Sequence, residues 1–226
     1  MLNKFKRVLI ICAHPDDEVI GCGGTIAKLS KKTEVSLLIF TNGESSREYS
    51  PKILKKKILK RKALLTKSSK NLGIKYFFQE NLNDNELDNY SNLKITKIIE
   101  KYLAKLKPDT IFTHYQEDLN IDHKKVSKAV VTATRPYKAN FVKHIFNFEI
   151  PSSTDVSFGK KSFKPNFFVD ISKTIKKKRK SLDIYKNQFT GSKSLSISNI
   201  IGLSKYRGNT IGVNYAEAFE VLRLLT

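Results

Sequence analysis

Read from the N-terminus, the first sustained apolar run is "RVLIICA", residues 7–13. It is continuous rather than alternating, as in a parallel strand covered on both faces. "EVIGCGGTIAKLS" then predicts a helix that buries Ile20, Ile26, Ala27 and Leu29, and "EVSLLIFT" predicts a second strand. After the polar loop "NGESSREYSP", "PKILKKKILKRKALL" opens a long helix running to about Leu72. Its apolar positions Ile53, Leu54, Ile58 and Leu65 recur near helical spacing, with lysines filling the rest. "IKYFF" is a third strand, and "SNLKITKIIEKYLAKLK" a helix with Leu93, Ile98, Ile99 and Leu103 on one stripe. "DTIFTH" reads as strand four. The helix from about Asp122 carries Val126, Ala129, Val130 and Ala133 on one face. It ends at "ATRP", because the residue before a proline is disfavoured in helix.

"HIFNFEI" is a fifth strand, beyond which the pattern weakens. "PNFFVDI" predicts a strand, "SKTIKKKRKSLDIYKNQ" a helix and "NYAEAFEVLRLL" a last helix. Between Phe189 and Tyr215 lies a long loop of the kind that borders sites in compact domains. Strands alternating with helices imply an α/β fold: a Rossmann-like open, mostly parallel sheet with helices on both faces. With 226 residues, no internal repeat and no Gly- or Pro-rich linker, residues 1–226 read as one domain. No apolar stretch is long enough to span a membrane. The start reads as a first strand rather than a signal peptide, which implies a cytoplasmic protein.

In open α/β sheets, ligands bind beyond the carboxyl ends of the strands. There this chain places "HPDDE" after strand one, "NGESSR" after strand two and "HYQEDLNIDH" after strand four. Burying unpaired charge costs several kcal/mol per ion, so a core does not want these acids. A catalytic zinc site does, since it takes three imidazole or carboxylate ligands and leaves a position for water. His14, His123 and one acid of the Asp16–Asp17 pair meet that requirement. The second acid is then free to take a proton from the water.

"AHPDDE" with the later "DH" pair resembles the PIG-L/LmbE-like family of zinc-dependent N-deacetylases, which remove acetyl groups from amino sugars. The likeness extends through "TNGESSR", "THYQEDLNIDH", "ATRP" and "YAEAFE". It implies zinc held by His14, Asp17 and His123, with Asp16 as general base toward the zinc-bound water. Asp122 matches an acid that supports the catalytic groups. Many members carry a histidine where this chain has Asn120, in a role assisting the oxyanion or leaving group; a lineage within the family shares the "DLNxDH" form. His114, at the end of strand four, is a candidate to replace that histidine, and Asn120 and Asp122 also suit helix capping. The family often forms homo-oligomers, and that expectation carries over.

Arg47, the only cation in "NGESSREYS", and Ser46 beside it are candidate substrate contacts; a planar guanidinium suits phosphate or paired hydroxyls. Alternatively Arg47 pairs with Glu44 or Glu48 to order the loop. Arg135 either lines the pocket or closes a salt bridge. Glu18 is placed to hold the opening loop through backbone N–H groups, and His144 reads as structural. Cys12 and Cys22 read as two reduced, buried thiols. "GCGG" lacks the full dinucleotide spacing and instead suits close packing of the first helix on the sheet. The net charge of +21 raises a nucleic-acid reading. Lysines recur on nearly every predicted helix, however, as solvated faces that would also attract an anionic substrate. The leading expectation is thus hydrolytic removal of the acetyl group of an acetamido sugar or sugar conjugate, with one carrying phosphate or nucleotide as the narrower expectation, and with no nucleic-acid partner. A nucleotide-binding module using "GCGG" and a basic nucleic-acid-binding protein are the alternatives.

Overall fold

The computed structural model describes residues 2–154, 156, 162–189 and 191–225. In chain order it forms β1 (Arg7–Cys12), α1 (Asp17–Leu29), β2 (Glu34–Thr41), α2 (Pro51–Leu72) and β3 (Tyr76–Leu82). There follow α3 (Asn92–Leu106), β4 (Thr110–His114), α4 (Ile121–Ala133) and β5 (His144–Phe148). β6 (Phe167–Asp170), α5 (Ile175–Ile184), α6 (Ile197–Asn209) and β7 (Ala216–Leu224) complete it. One sheet has the order β3-β2-β1-β4-β5-β7-β6. Its first five strands run parallel, and β7 is antiparallel to both of its neighbours.

Strand periodicity explains why "RVLIICA" is apolar throughout. Val8, Ile10 and Cys12 enter one core with Ile26 of α1, Leu65 of α2, Leu182 of α5 and Ile200 of α6. Leu9, Ile11 and Ala13 enter the other, with Ile95 and Ile99 of α3 and Val126 and Val130 of α4. Successive side chains point to opposite faces, so a strand covered on both sides has no polar positions to spare. Cys12 and Cys22 are free and buried, and burial pushes both thiols well above their ordinary pKa.

Two segments depart from the sequence expectation. "NYAEAFEVLRLL" is not a helix; its residues 216–224 form β7, inserted between β5 and β6. Its residues are good helix formers, but β5 and β6 each offer a free edge, and pairing with both overrides propensity. The span from Phe189 to Tyr215 is not a long loop either, because it contains α6. Ser196 caps that helix by accepting the Asn199 N–H at 3.2 Å, and Ile200 and Ile201 pack inward. The signal is a serine cap before a narrow apolar stripe.

Helix α1 is two half-helices joined at a break, where Cys22 has φ −145° and ψ 22°. A break strands carbonyls on one side and N–H groups on the other. Lys178 of α5 donates to Ile20 O at 2.8 Å, placing a cation at the end of the first half. Glu217 of β7 accepts the N–H groups of Gly24 at 2.9 Å and Thr25 at 2.7 Å, placing an anion at the start of the second. Both charges match the half-helix dipoles. They also bond each other at 2.6 Å, nearly out of solvent. The glycines let the break sit close: a Cβ on Gly21 would strike the Phe148 ring, and one on Gly24 would lie 2.7 Å from Ile171. Lys178→Met leaves Glu217 buried without its cation, so about 3–5 kcal/mol of stability should be lost in urea unfolding. A loss below about 1 kcal/mol, the scale of an exposed pair, would show that the pair does not hold the break.

Candidate metal centre and its cavity

Chain crossovers diverge between β1 and β4, the position where open α/β sheets leave a crevice. A cavity of about 400 Å³ opens there, and loops after five strands line it. His14, Asp16 and Asp17 come from the turn after β1, Ser46 and Arg47 follow β2, and Asp84 follows β3. Asn120 and His123 follow β4, and Ser153 follows β5. The first turn is tight, with Asp16 at φ 125° in the left-handed region, a conformation costing on the order of 1–3 kcal/mol. Glu18 holds it: Oε2 accepts the Asp16 N–H at 2.9 Å, while Oε1 accepts from Ser68 at 3.2 Å and Tyr185 at 3.1 Å. Glu18 is therefore a strut and not a ligand.

Three donors converge. His14 Nδ1 lies 3.2 Å from His123 Nε2. Asp17 lies 3.3 Å from the first nitrogen and 3.5 Å from the second. The outer nitrogen of each ring faces its own acid. His14 Nε2 is 3.1 Å from Asp122, and His123 Nδ1 is 3.1 Å from Asp118. Those acids hold an N–H on the outward side of each ring, so the inward nitrogens are the ones that can turn lone pairs to a cation. The charges agree. Burial opposes protonation of His14 and His123, yet Asp17 and the outer acids raise both, His123 to about 9. Burial also pushes Asp17 up, but the imidazoles of His123, His114 and His14 outweigh it and hold the carboxyl well below its usual range. Two imidazoles and one carboxylate, each oriented from behind, suit a divalent ion such as zinc.

A second group, His14, Asp84 and Asp122, shares the other side of the His14 ring. Asp122 already accepts the N–H groups of Asn85 at 2.8 Å and Leu87 at 2.9 Å. Its work is to fix His14.

Asp16 faces the cavity from beside this triad. Burial raises its pKa to about 6, against the pull of Arg61, whose Nη2 donates to Asp16 at 3.1 Å. Arg61 is itself buried; among the described residues its Nε and Nη1 have no hydrogen-bond partner, and Nε lies 4.0 Å from Glu44.

Several sequence candidates sit elsewhere or do other work. His114 has no face on the cavity: it is fully buried, stacked on the His123 ring at 3.9 Å, and its Nε2 accepts the Ala13 N–H at 2.9 Å. Burial and the neighbouring His123 lower its pKa to about 4. It cannot stand in for a cavity histidine. Arg135 is exposed beyond the far end of the thirteen-residue α4, about 20 Å from His123's turn at 1.5 Å per residue. It bonds Thr132 O and lies over Tyr137, so the pocket reading for it fails. Asn120 lines the cavity and also caps α4, accepting the N–H groups of Asp122 and His123. Arg47 lines the cavity too, but its Nη1 is engaged by Gly43 O at 3.0 Å and Glu44 at 3.1 Å, the loop-ordering alternative. Ser46 donates to Asp84 at 2.5 Å.

Sequence reasoning misses Asp118, Asp84 and Arg61. Asp118 lies in the same "EDLNIDH" stretch as His123, and Asp84 follows a strand with no matching histidine nearby to mark it. Arg61 has a signal, being the one arginine among the eight lysines of α2.

Among proteins of known function, a diacetylchitobiose deacetylase from Thermococcus kodakarensis is 29% identical over 229 residues, covering 96% of this chain and 84% of its own. A probable N-acetyl-α-D-glucosaminyl L-malate deacetylase from Bacillus subtilis is 30% identical over 133 residues, 57% of this chain and 60% of its own. The solved structure of N,N'-diacetylchitobiose deacetylase from Pyrococcus horikoshii superposes with a TM-score of 0.79 at 26% identity, covering 98% of this chain and 85% of that one. Residues 9–134, which include the three converging donors and Asp16, match the model of the GlcNAc-PI de-N-acetylase family, and the chain belongs to that PIG-L family.

Proposed function

We propose that this protein is a zinc-dependent N-deacetylase that hydrolyses the acetamido group of an amino sugar or sugar conjugate. The observation that carries the reading is the His14–Asp17–His123 donor set opening into a cavity beside a buried carboxylate that is not part of it. Zinc bound there supplies a Lewis acid for the amide carbonyl and lowers the pKa of water.

The chain's own groups do the rest. Asp16 is the base in this reading, because it faces the cavity and its pKa of about 6 leaves it ionised at neutral pH yet receptive to a proton. Arg61 keeps that carboxylate aimed. Asp84 adds an acceptor on the cavity wall. Ile150 and Leu195 give the cavity apolar wall for the face of a sugar ring or an acetyl methyl. The relatives that act on diacetylchitobiose and on an N-acetylglucosaminyl conjugate support the same substrate class.

Acetate release from a panel of N-acetylated sugars, sugar nucleotides and thiol glycosides tests the reading directly. Release from none of them by the zinc-loaded protein would end it. Asp16→Asn should lower kcat by about 10²–10⁴, the range for loss of a general base, with zinc content unchanged by elemental analysis. Normal turnover in that variant would move the base elsewhere. His123→Ala should abolish zinc retention. Asp118→Asn should weaken zinc affinity about 10–100-fold in a competition titration, the usual effect of losing an orienting acid. Unchanged affinity in both would refute the ligand assignment.

A further inference from the structure

The basic charge is not spread evenly along the chain. Residues 51–72 hold nine cations and no acid, and residues 173–180 hold six cations and no acid. These thirty residues carry +15 of the net +21, leaving +6 for the other 196. The fold brings the two runs together, since α2 packs on α5. Asn71 donates to Lys177 O at 2.9 Å and to Ser181 at 2.8 Å. Two of the fifteen cations turn inward: Arg61 to Asp16 and Lys178 to Glu217. The other thirteen are exposed, and among the described residues none of them forms an ion pair. Thirteen like charges on one surface repel one another and raise the local concentration of anions.

We propose that the outward face of α2 and α5 is a binding track for an anionic glycan, and that the substrate is an acetamido sugar within such a polymer. The acetamido part rests on the deacetylase reading; the track does not. Position favours a polymer that also enters the cavity. α2 begins four residues beyond Arg47 of the cavity wall, contributes Arg61 to the same cavity, and at 22 residues is about 33 Å long. The chemistry narrows the anion. Twelve of the thirteen cations are lysines, strongly hydrated point charges that neutralise carboxylate or phosphate without demanding a geometry. Neither helix contains an aromatic residue on which a base could stack, which disfavours single-stranded nucleic acid. An interfacial helix needs an apolar face to bury, and that face of α2 is spent inside the protein through Leu65 and Leu72. Its exposed Ile53 and Leu59 stand six residues apart, on different sides of the helix.

The test measures binding in an Asp16→Asn background, so that turnover does not alter the probe. One protein keeps α2 intact, and the other carries Lys52→Gln, Lys55→Gln, Lys56→Gln and Lys67→Gln. The probes are a hyaluronan decasaccharide, which alternates glucuronate with N-acetylglucosamine, neutral N-acetylchitohexaose, oligo-dT, and phosphatidylglycerol vesicles. Hyaluronan should bind more tightly than chitohexaose, with log affinity falling linearly in log salt. The four substitutions should weaken hyaluronan about tenfold or more at low salt and flatten that slope. Placed in the wild-type background, the same substitutions should leave hydrolysis of chitohexaose unchanged. Equal affinity for the charged and neutral glycans, or no effect of the substitutions, overturns the track. Tighter binding to vesicles or oligo-dT than to hyaluronan overturns its assignment to a glycan. A wild-type protein that binds hyaluronan through these lysines but releases no acetate from any N-acetyl sugar keeps the track and refutes the deacetylase reading.

Discussion

Five aspartates, Asp16, Asp17, Asp84, Asp118 and Asp122, are buried at one edge of the sheet, and much of the surrounding structure exists to meet their charge. Isolated carboxylates in such a place would protonate or unfold the region. Here each is met in a different way: Asp122 by two backbone N–H groups, Asp118 by Thr154 and His123, Asp84 by Ser46, Asp16 by Arg61. Only Asp17 is left chiefly to imidazoles. Its oxygens accept the His14 backbone N–H at 2.7 Å and face His14, His114 and His123, so positive charge on these rings, from protons or from a bound cation, is what balances it. The candidate metal site is thus the place where the charge balance does not rest on fixed protein partners alone.

Holding the acids in place requires the chain on both sides of the sheet. The turn that carries Asp16 and Asp17 runs directly into the first half of α1, so the break at Cys22 sets where that half-helix sits. The groups that satisfy the break, Lys178 and Glu217, belong to α5 and β7, beyond the 9–134 span that the family model covers. The C-terminal third is therefore joined to the metal centre by charge as well as by packing. As a strand between β5 and β6, β7 places Glu217 within reach of the N–H groups of Gly24 and Thr25.

The five parallel strands and the helices between them were legible because a strand covered on both faces has no room for polar residues, and an amphipathic helix must show its stripe. His14, Asp17 and His123 were legible because a core has no use for them where they stand. The C-terminal third was harder to read. Its helix-forming residues in β7 answer to two open strand edges, which are a property of the assembled sheet and not of the segment. Asp84 and Asp118 look like ordinary loop acids until folding brings them against the rings they orient. His114 misleads in the other direction: its chemistry suits catalysis, but the last residue of a central strand points into packing as readily as into a crevice.

The division between arginine and lysine carries information that the net charge hides. Arg61 fixes the Asp16 carboxylate, Arg207 grips both oxygens of Glu149 at 2.8 and 2.6 Å, and Arg47 ties Gly43 to Glu44. Arg223 reaches Thr134 O at 2.8 Å from the edge of β7. In each case a flat, permanently charged fork is held by defined acceptors, a task for which a lysine's single ammonium is poorly shaped. Among the described residues, lysine takes that kind of buried position once, at Lys178, where a compact cation fits between a carbonyl and a carboxylate. The remaining α2 and α5 lysines form no ion pair among the described residues. In a chain this rich in lysine, four of the seven arginines thus mark places where geometry is being fixed, and a run of lysines without acids marks a surface whose counter-charge comes from outside the molecule.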